Sequence, residues 1–226
     1  MRYRFILLCI CVQFLCFASV FSQSVWDGAS TDTDWYFGHE SDASYTISSA
    51  DELAGLAYLV KESVEDFAGK TINIGNPGDD LVIDLGGNTW TPIGYWVSSS
   101  VIYPFRGSVN GNNCTIKNFR TSGSYRGLFG YVRSNRDVAD DITIKDINVE
   151  TTNLSGAQYV GGICGYICGY IETSPYRINA KIENCTFNGN IVASSADSYA
   201  GGIAGKACIL ESISAERQEV FLVLTM

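Results

Sequence analysis

One histidine, His39, stands in 226 residues. That scarcity removes whole classes of chemistry. A hydroxyl or thiol nucleophile that needs an imidazole base has only His39 to draw on, and no G-x-S-x-G elbow presents a serine. Zinc sites built from histidines at ligand spacing are excluded for the same reason. No Walker-type phosphate loop is present. After Phe21 no apolar run is long enough to span a bilayer. Positive charge is also short: 15 Lys and Arg stand against 24 Asp and Glu, a formal net charge of −9. A surface of that sign repels phosphate backbones, so nucleic acid is not an expected partner.

The first residues read as a targeting segment. Arg2 and Arg4 precede an apolar run from Phe5 to Phe21, and small residues follow near Ser22. This is the pattern of a secretory signal peptide over residues 1–22, cleaved near Ser22 or Gln23. The competing reading is an uncleaved anchor, for which the run of 17 residues is short. A lipid anchor would use Cys16, but Leu15 stands where lipoprotein processing wants a small residue. Cleavage removes two arginines, leaving 13 basic residues against 24 acids and a net charge of −11. The expected location is secreted or cell-surface, with the membrane involved only through export.

Eight cysteines become five in the mature chain: Cys114, Cys164, Cys168, Cys185 and Cys208. An odd number in an exported chain argues against a designed disulfide framework.

The chain repeats itself. "YRGLFGYV" (125–132), "YVGGICGYI" (159–167) and "YAGGIAGKA" (199–207) are three copies of one phrase. Gly127, Gly162 and Gly202 align, as do Gly130, Gly165 and Gly205, with spacings of 35 and 40 residues. A second phrase precedes each copy: "CTIKNF" (114–119), "ITIKDI" (142–147) and "AKIENC" (180–185). Its apolar residues alternate with outward charges and end at an Asn or Asp that tolerates left-handed backbone, which is strand patterning with a corner. Such units cannot bury an apolar face alone, and stacking completes the core of a solenoid. A β-sandwich competes but requires no such recurrence. The glycines mark close backbone approach or positive φ.

Gly127-Leu128-Phe129-Gly130 resembles the GLUG motif, and the other two copies are similar to its GGI-x-G variants. "VWDG" (25–28), "SSADELAGLAYLV" (48–60), "WTPIG" (90–94) and "PFRGSVNGNNCTIKNF" (104–119) resemble the lead-in of Bacteroidota surface and adhesin-like proteins. The motif also accompanies peptidase domains in streptococcal IgA peptidases. The resemblance spans about residues 24–207 and implies an all-β, right-handed parallel β-helix on or released from the cell surface. It carries over no catalytic residue. The lead-in itself predicts an amphipathic helix over 50–62. Ser49-x-x-Glu52 is a capping box, and Leu53, Leu56, Ala57 and Val60 form one apolar stripe. A short helical cap of this kind would cover the open N-terminal end of the helix of strands. The expected organisation is therefore 1–22 signal peptide, 23–110 cap and lead-in, 111–207 repeats, and 208–226 an atypical tail. That tail is either a divergent cap or the mark of a truncated product.

Candidate sites are weighed against packing. Cys114, Cys164 and Cys185 occupy slots that other copies give to apolar residues, so they read as core. Cys168 and Cys208 align with each other and with Arg133. If one repeat makes one coil they lie ~4.8 Å apart, within disulfide reach; if each repeat makes two coils they do not meet. Asp79, Asp80, Asp137, Asp140 and Asp141 read as turn acids. Asp27, Asp32 and Asp34 could wrap calcium but lack EF-hand spacing. The sequons at Asn113, Asn153 and Asn184 read as structural. Tyr95, Trp96 and Tyr103 surround a Ser-rich loop and are the ligand-binding candidates, by stacking on sugar faces or anchoring a partner. The expected function is a non-enzymatic, cofactor-free, adhesin-like module for a host or surface glycan or protein. The alternatives are a carbohydrate-active lyase or hydrolase, which would need an acid cluster on one face of the coils, and a non-functional fragment.

Overall fold

The computed structural model describes residues 25–134, 141–171, 177–178 and 180–211. The signal segment and residues 212–226 of the tail, with Asp137 and Asp140, lie outside the described residues.

The described residues open with β1 (Ser44–Ile47), α1 (Ala50–Lys61), β2 (Thr71–Ile74), β3 (Val82–Thr89) and the antiparallel hairpin of β4 (Tyr95–Ser98) and β5 (Val101–Tyr103). The helix starts where its chemistry says it should. The Glu52 amide donates to the Ser49 hydroxyl at 3.1 Å, and the Ser49 amide donates to the Glu52 carboxylate at 2.9 Å. Its buried face includes Leu53, Leu56, Ala57, Leu59 and Val60. Gly55 lets the turn at Asp32 lie on the helix, because a Cβ there would sit 1.9 Å from the Asp32 carbonyl oxygen.

Three coils follow. The first contains β6 (Ser108–Arg120) and β7 (Phe129–Arg133). The second contains β8 (Ile142–Gly156), β9 (Val160–Gly161) and β10 (Cys164–Ile171), with β11 (Arg177–Ile178) antiparallel to β10. The third contains β12 (Ala180–Glu183), β13 (Thr186–Ala193), β14 (Ala200–Gly201) and β15 (Ala204–Glu211). Strands of successive coils pair in parallel, so the described residues form a β-solenoid of about three turns with one short helix. One repeat makes one coil: Cys164 lies opposite both Phe129 and Ala204.

Stacking converts alternation along each strand into columns across coils. Tyr45, Ile72, Val109, Ile144 and Ile182 lie side by side in register. All five are buried. Ile83, Ile116, Val149 and Phe187 form a second column. Phe105, Val132, Ile167 and Ala207 form a third. Burying each large side chain contributes about 1.5–3 kcal/mol before entropy is counted. No single coil holds a complete core, which makes neighbouring coils mutually dependent.

Strict alternation would send residues three apart to opposite faces, yet Ile144 and Ile147 are both buried. Between them Asp146 takes φ +58°, a left-handed turn that resets the phase and bends the strand around the core. Asn184 (φ +49°) does the same one coil later and donates to Asp146 at 3.2 Å. Asn118 (φ +59°) is left-handed too, but it belongs to a different corner, where its amide donates to Asp84 at 3.0 Å.

That difference corrects the repeat alignment. Residues 180–183 do lie opposite 142–145. Cys114–Phe119, however, does not occupy the same slot: Val109 stands opposite Ile144, Cys114 opposite Ile147, and Ile116 opposite Val149. The physical reason is that β6 starts earlier than the phrase. Its Ser108–Asn110 stretch takes the first slot, and Gly111, Asn112 and Asn113 then stand against Asp146 alone. β6 thus crosses the expected 110/111 boundary, and β15 carries the third coil past residue 207 to Glu211.

The six phrase glycines all keep ordinary φ and serve close approach instead. A Cβ on Gly165 would sit 2.5 Å from the Arg126 amide nitrogen, whereas one on Gly202 would meet nothing closer than 3.7 Å. Gly165→Ala therefore costs about 1–3 kcal/mol in urea unfolding, as overpacking does, while Gly202→Ala leaves the midpoint nearly unchanged. Equal midpoints for the two variants would contradict this packing.

Candidate functional site: an aromatic and cationic ridge

Tyr125 and Tyr159 open successive copies of the glycine phrase. Both take left-handed backbone, at φ +58° and +52°. That conformation is uncommon for a bulky side chain and persists only where its surroundings impose it. Here the next coil imposes it. The Tyr125 amide donates to Gln158 O at 2.8 Å, and the Arg126 amide donates to Tyr159 O at 3.0 Å. The turn lies directly on glycine: a Cβ on Gly165 would meet the Tyr125 carbonyl carbon at 2.6 Å, and one on Gly205 would meet the Tyr159 carbonyl carbon at 2.7 Å.

The rings consequently line up along the solenoid axis. Trp96 stacks on Tyr125 at 4.7 Å, Tyr125 meets Tyr159 at 4.7 Å, and Tyr159 stacks on Tyr199 at 5.4 Å. A second row pairs Tyr131 with Tyr166, nearly parallel at 4.9 Å. The rows touch through Tyr125–Tyr131 and Tyr159–Tyr166. Cations lie over the rings. The Arg126 guanidinium is 5.2 Å from the Tyr95 centroid. Lys206 Nζ is 5.3 Å from Tyr159 and 5.1 Å from Tyr199. Burial raises the Tyr125 phenol to about 12, and the neighbouring phenols of Tyr159, Tyr131 and Tyr166 push the same way. Burial also raises Tyr131 and Tyr166, with the Arg133 guanidinium opposing it in both.

Of the sequence candidates, Tyr95 and Tyr103 sit opposite each other across the β4–β5 hairpin. Trp96 belongs to the ridge, with one ring face covered by Tyr125. The ridge residues Tyr125, Tyr131, Tyr159, Tyr166, Tyr199 and Lys206 lie outside the sequence candidates. Their signal was in plain view, since a tyrosine heads every copy and a Tyr or Lys follows the second glycine.

The cysteines divide as two sets. Cys168 and Cys208 lie in register with Cα atoms 4.7 Å apart, and their sulfurs are joined in a disulfide. Cys114, Cys164 and Cys185 are buried and free. Burial raises their thiols, Cys114 to about 12 and Cys185 to about 11; Cys164 is raised by the same cause.

Among the described residues, Asp51 lies near Asp27, Asp32 and Glu52, and burial together with their charge raises it; on the coils the acids are interrupted. Asp84, Lys117 and Glu150 share one position on consecutive coils, so a lysine separates the two acids. Beside them runs a shallow groove of about 480 Å³ lined by Asn118, Glu150, Thr152, Asn153, Asn188 and Asn190. Asp27 is occupied by the Ser30 hydroxyl and the amides of Ser30 and Ala29, which lower it to about 2. Asp79 accepts from the amide and side chain of Asn76. Among the described residues, no three His, Cys, Asp or Glu side chains could hold a metal ion. Among the same residues, no helix is long and apolar enough to cross a membrane.

Two outcomes follow from this chemistry. A phenol whose folded value exceeds its unfolded one contributes stability below the unfolded value and loses it as pH rises through the folded one. The urea midpoint should therefore fall between pH 10.0 and about 12, and Tyr125→Phe should reduce the fall. The buried Cys114 thiol adds to the loss from its ordinary 9.0 upward. Second, native protein at neutral pH should resist thiol alkylation. Denatured, the stretch from Cys114 to Cys208 should take up three alkyl groups before reduction and five after it, read by peptide mass.

No curated protein and no solved structure matches this chain. A family model described as the GLUG motif matches residues 156–192, the stretch from the end of β8 through most of β13, and the chain thus carries the GLUG motif.

Proposed function

We propose that the protein is a non-enzymatic, exported module that presents its ridge to a glycan or protein ligand at the cell surface. The observation that carries this reading is the ridge itself: aromatic side chains and cations fixed on rigid coils, with Tyr199 48% exposed. Rigid placement lowers the entropy cost of binding, and amphipathic aromatics are favoured anchors. The basic start and apolar run of residues 5–21 support export. The interrupted column of Asp84, Lys117 and Glu150 supports a binding role over glycoside cleavage, which calls for a pair of facing carboxyl groups. In this reading the coils wind right-handed, the usual sense of parallel strand crossovers. The α1 helix then closes the N-terminal end, as the burial of Leu53, Leu56 and Leu59 favours.

Retention of the full chain on immobilised glycans and extracellular-matrix proteins tests the proposal. Tyr199→Ala should weaken retention about tenfold while the circular dichroism spectrum stays that of the folded protein. Turnover of a polysaccharide panel that disappears with Asp84→Asn or Glu150→Gln would overturn the binding role. N-terminal mass analysis of exported protein should give a start near Ser22 or Gln23.

A further inference from the structure

We infer that the ridge takes an acidic polysaccharide, one bearing carboxylate or sulfate groups along its length; the inference rests on the binding role proposed above. The direction of the rings comes first. Trp96, Tyr125, Tyr159 and Tyr199 contact one another along the axis, with interplanar angles of 25°, 48° and 11°. Ring faces inside the row are therefore spent on other rings. Sugar stacking needs an open face, and so does base stacking by single-stranded nucleic acid. What the row offers outward is edges and phenol hydroxyls.

Two of those hydroxyls are donors without a protein acceptor. Among the described residues the Tyr166 hydroxyl lies 2.8 Å from Cys208 Sγ and the Tyr131 hydroxyl pairs with Arg133, which leaves Tyr125 and Tyr159. The hydroxyls of Tyr125 and Tyr159 are not among the buried polar atoms lacking partners, so they reach solvent. The cations are equally free. Among the described residues neither Arg126 nor Lys206 has a carboxylate within 4.0 Å, whereas Arg106, Lys70 and Lys117 each do. Arg126 Nε is buried with no hydrogen-bond acceptor. Placing uncompensated cations among donor hydroxyls, on a chain of net charge −9, makes this strip complementary to an anion rich in acceptors. Rings recur on successive coils at Tyr125, Tyr159 and Tyr199, with a cation at Arg126 on the first and at Lys206 on the third, and this spread along the axis fits a polymer. A nucleic acid fits less well, because its bases need open ring faces to stack on and the row spends its inner faces on other rings.

The test measures retention of the full chain on five immobilised probes: a polyuronate, a sulfated glycan, a neutral glycan, extracellular-matrix protein and a single-stranded DNA oligonucleotide. The expected result is retention on one or both acidic glycans, weakened by salt. Lys206→Gln and Arg126→Gln should each cut it by roughly threefold to fivefold, and Lys206→Arg should restore it. Circular dichroism and urea midpoints check folding; if Arg126→Gln unfolds, Lys206→Gln alone carries the test. Equal retention on the neutral glycan, unchanged by Lys206→Gln, would overturn the acidic ligand and leave the binding role standing. Retention on matrix proteins with none on glycans would do the same. Tighter binding of the oligonucleotide would overturn the ligand class, and no retention on any surface would sink both readings.

Discussion

Everything in this molecule depends on how closely one coil can lie on the next. Parallel pairing sets neighbouring backbones 4.7 Å apart at Cys168 and Cys208. At the glycine phrase the approach is tighter than a side chain allows. Gly127, Gly130, Gly162, Gly165 and Gly205 each lie where a Cβ would come within 3.0 Å of backbone in another strand or turn. The phrase recurs because each new coil must solve the same contact. The solution also holds Tyr125 and Tyr159 in left-handed backbone, since their turns rest on Gly165 and Gly205. Architecture and candidate site therefore share one cause. Two of the glycines that let coils stack, Gly165 and Gly205, are the ones on which the Tyr125 and Tyr159 turns rest.

Much of this was legible in the sequence. Recurrence at fixed offsets pointed to a solenoid, and the glycine phrase located its slots well enough to set Phe129, Cys164 and Ala204 in one column. The capping box and apolar stripe located the helix to within a residue. Local signals of this kind survive translation into structure because they are caused by neighbours in the chain. The apolar slots of the three free cysteines were legible for a related reason, since a column needs similar volume and polarity in every coil.

The register of β6 was not legible. "CTIKNF" and "ITIKDI" look alike because any strand turning around a core needs apolar residues flanking a corner, and a coil has more than one corner. Asn118 and Asp146 answer the same local demand at different corners. Only the partner strand tells them apart, and partner choice is long-range. The ridge was hidden for a comparable reason. Tyr125, Tyr159 and Tyr199 are 34 and 40 residues apart and become one surface only after coiling. Trp96 was visible as an aromatic, but its contact with Tyr125 depends on how the β4–β5 hairpin leans on the first coil.

A stack whose units touch only their neighbours behaves like a row of dominoes at equilibrium. Its ends fray, and loss of the last unit uncovers the one before. The bond between Cys168 and Cys208 spans 40 residues, almost the whole of the third coil. While it holds, that coil can loosen but cannot diffuse away, and its return is a local event instead of a search. Two sulfur atoms thus shift the weak point of the stack from the third coil to the interior columns. Under a pulling force, the coil they enclose should be the last to lengthen.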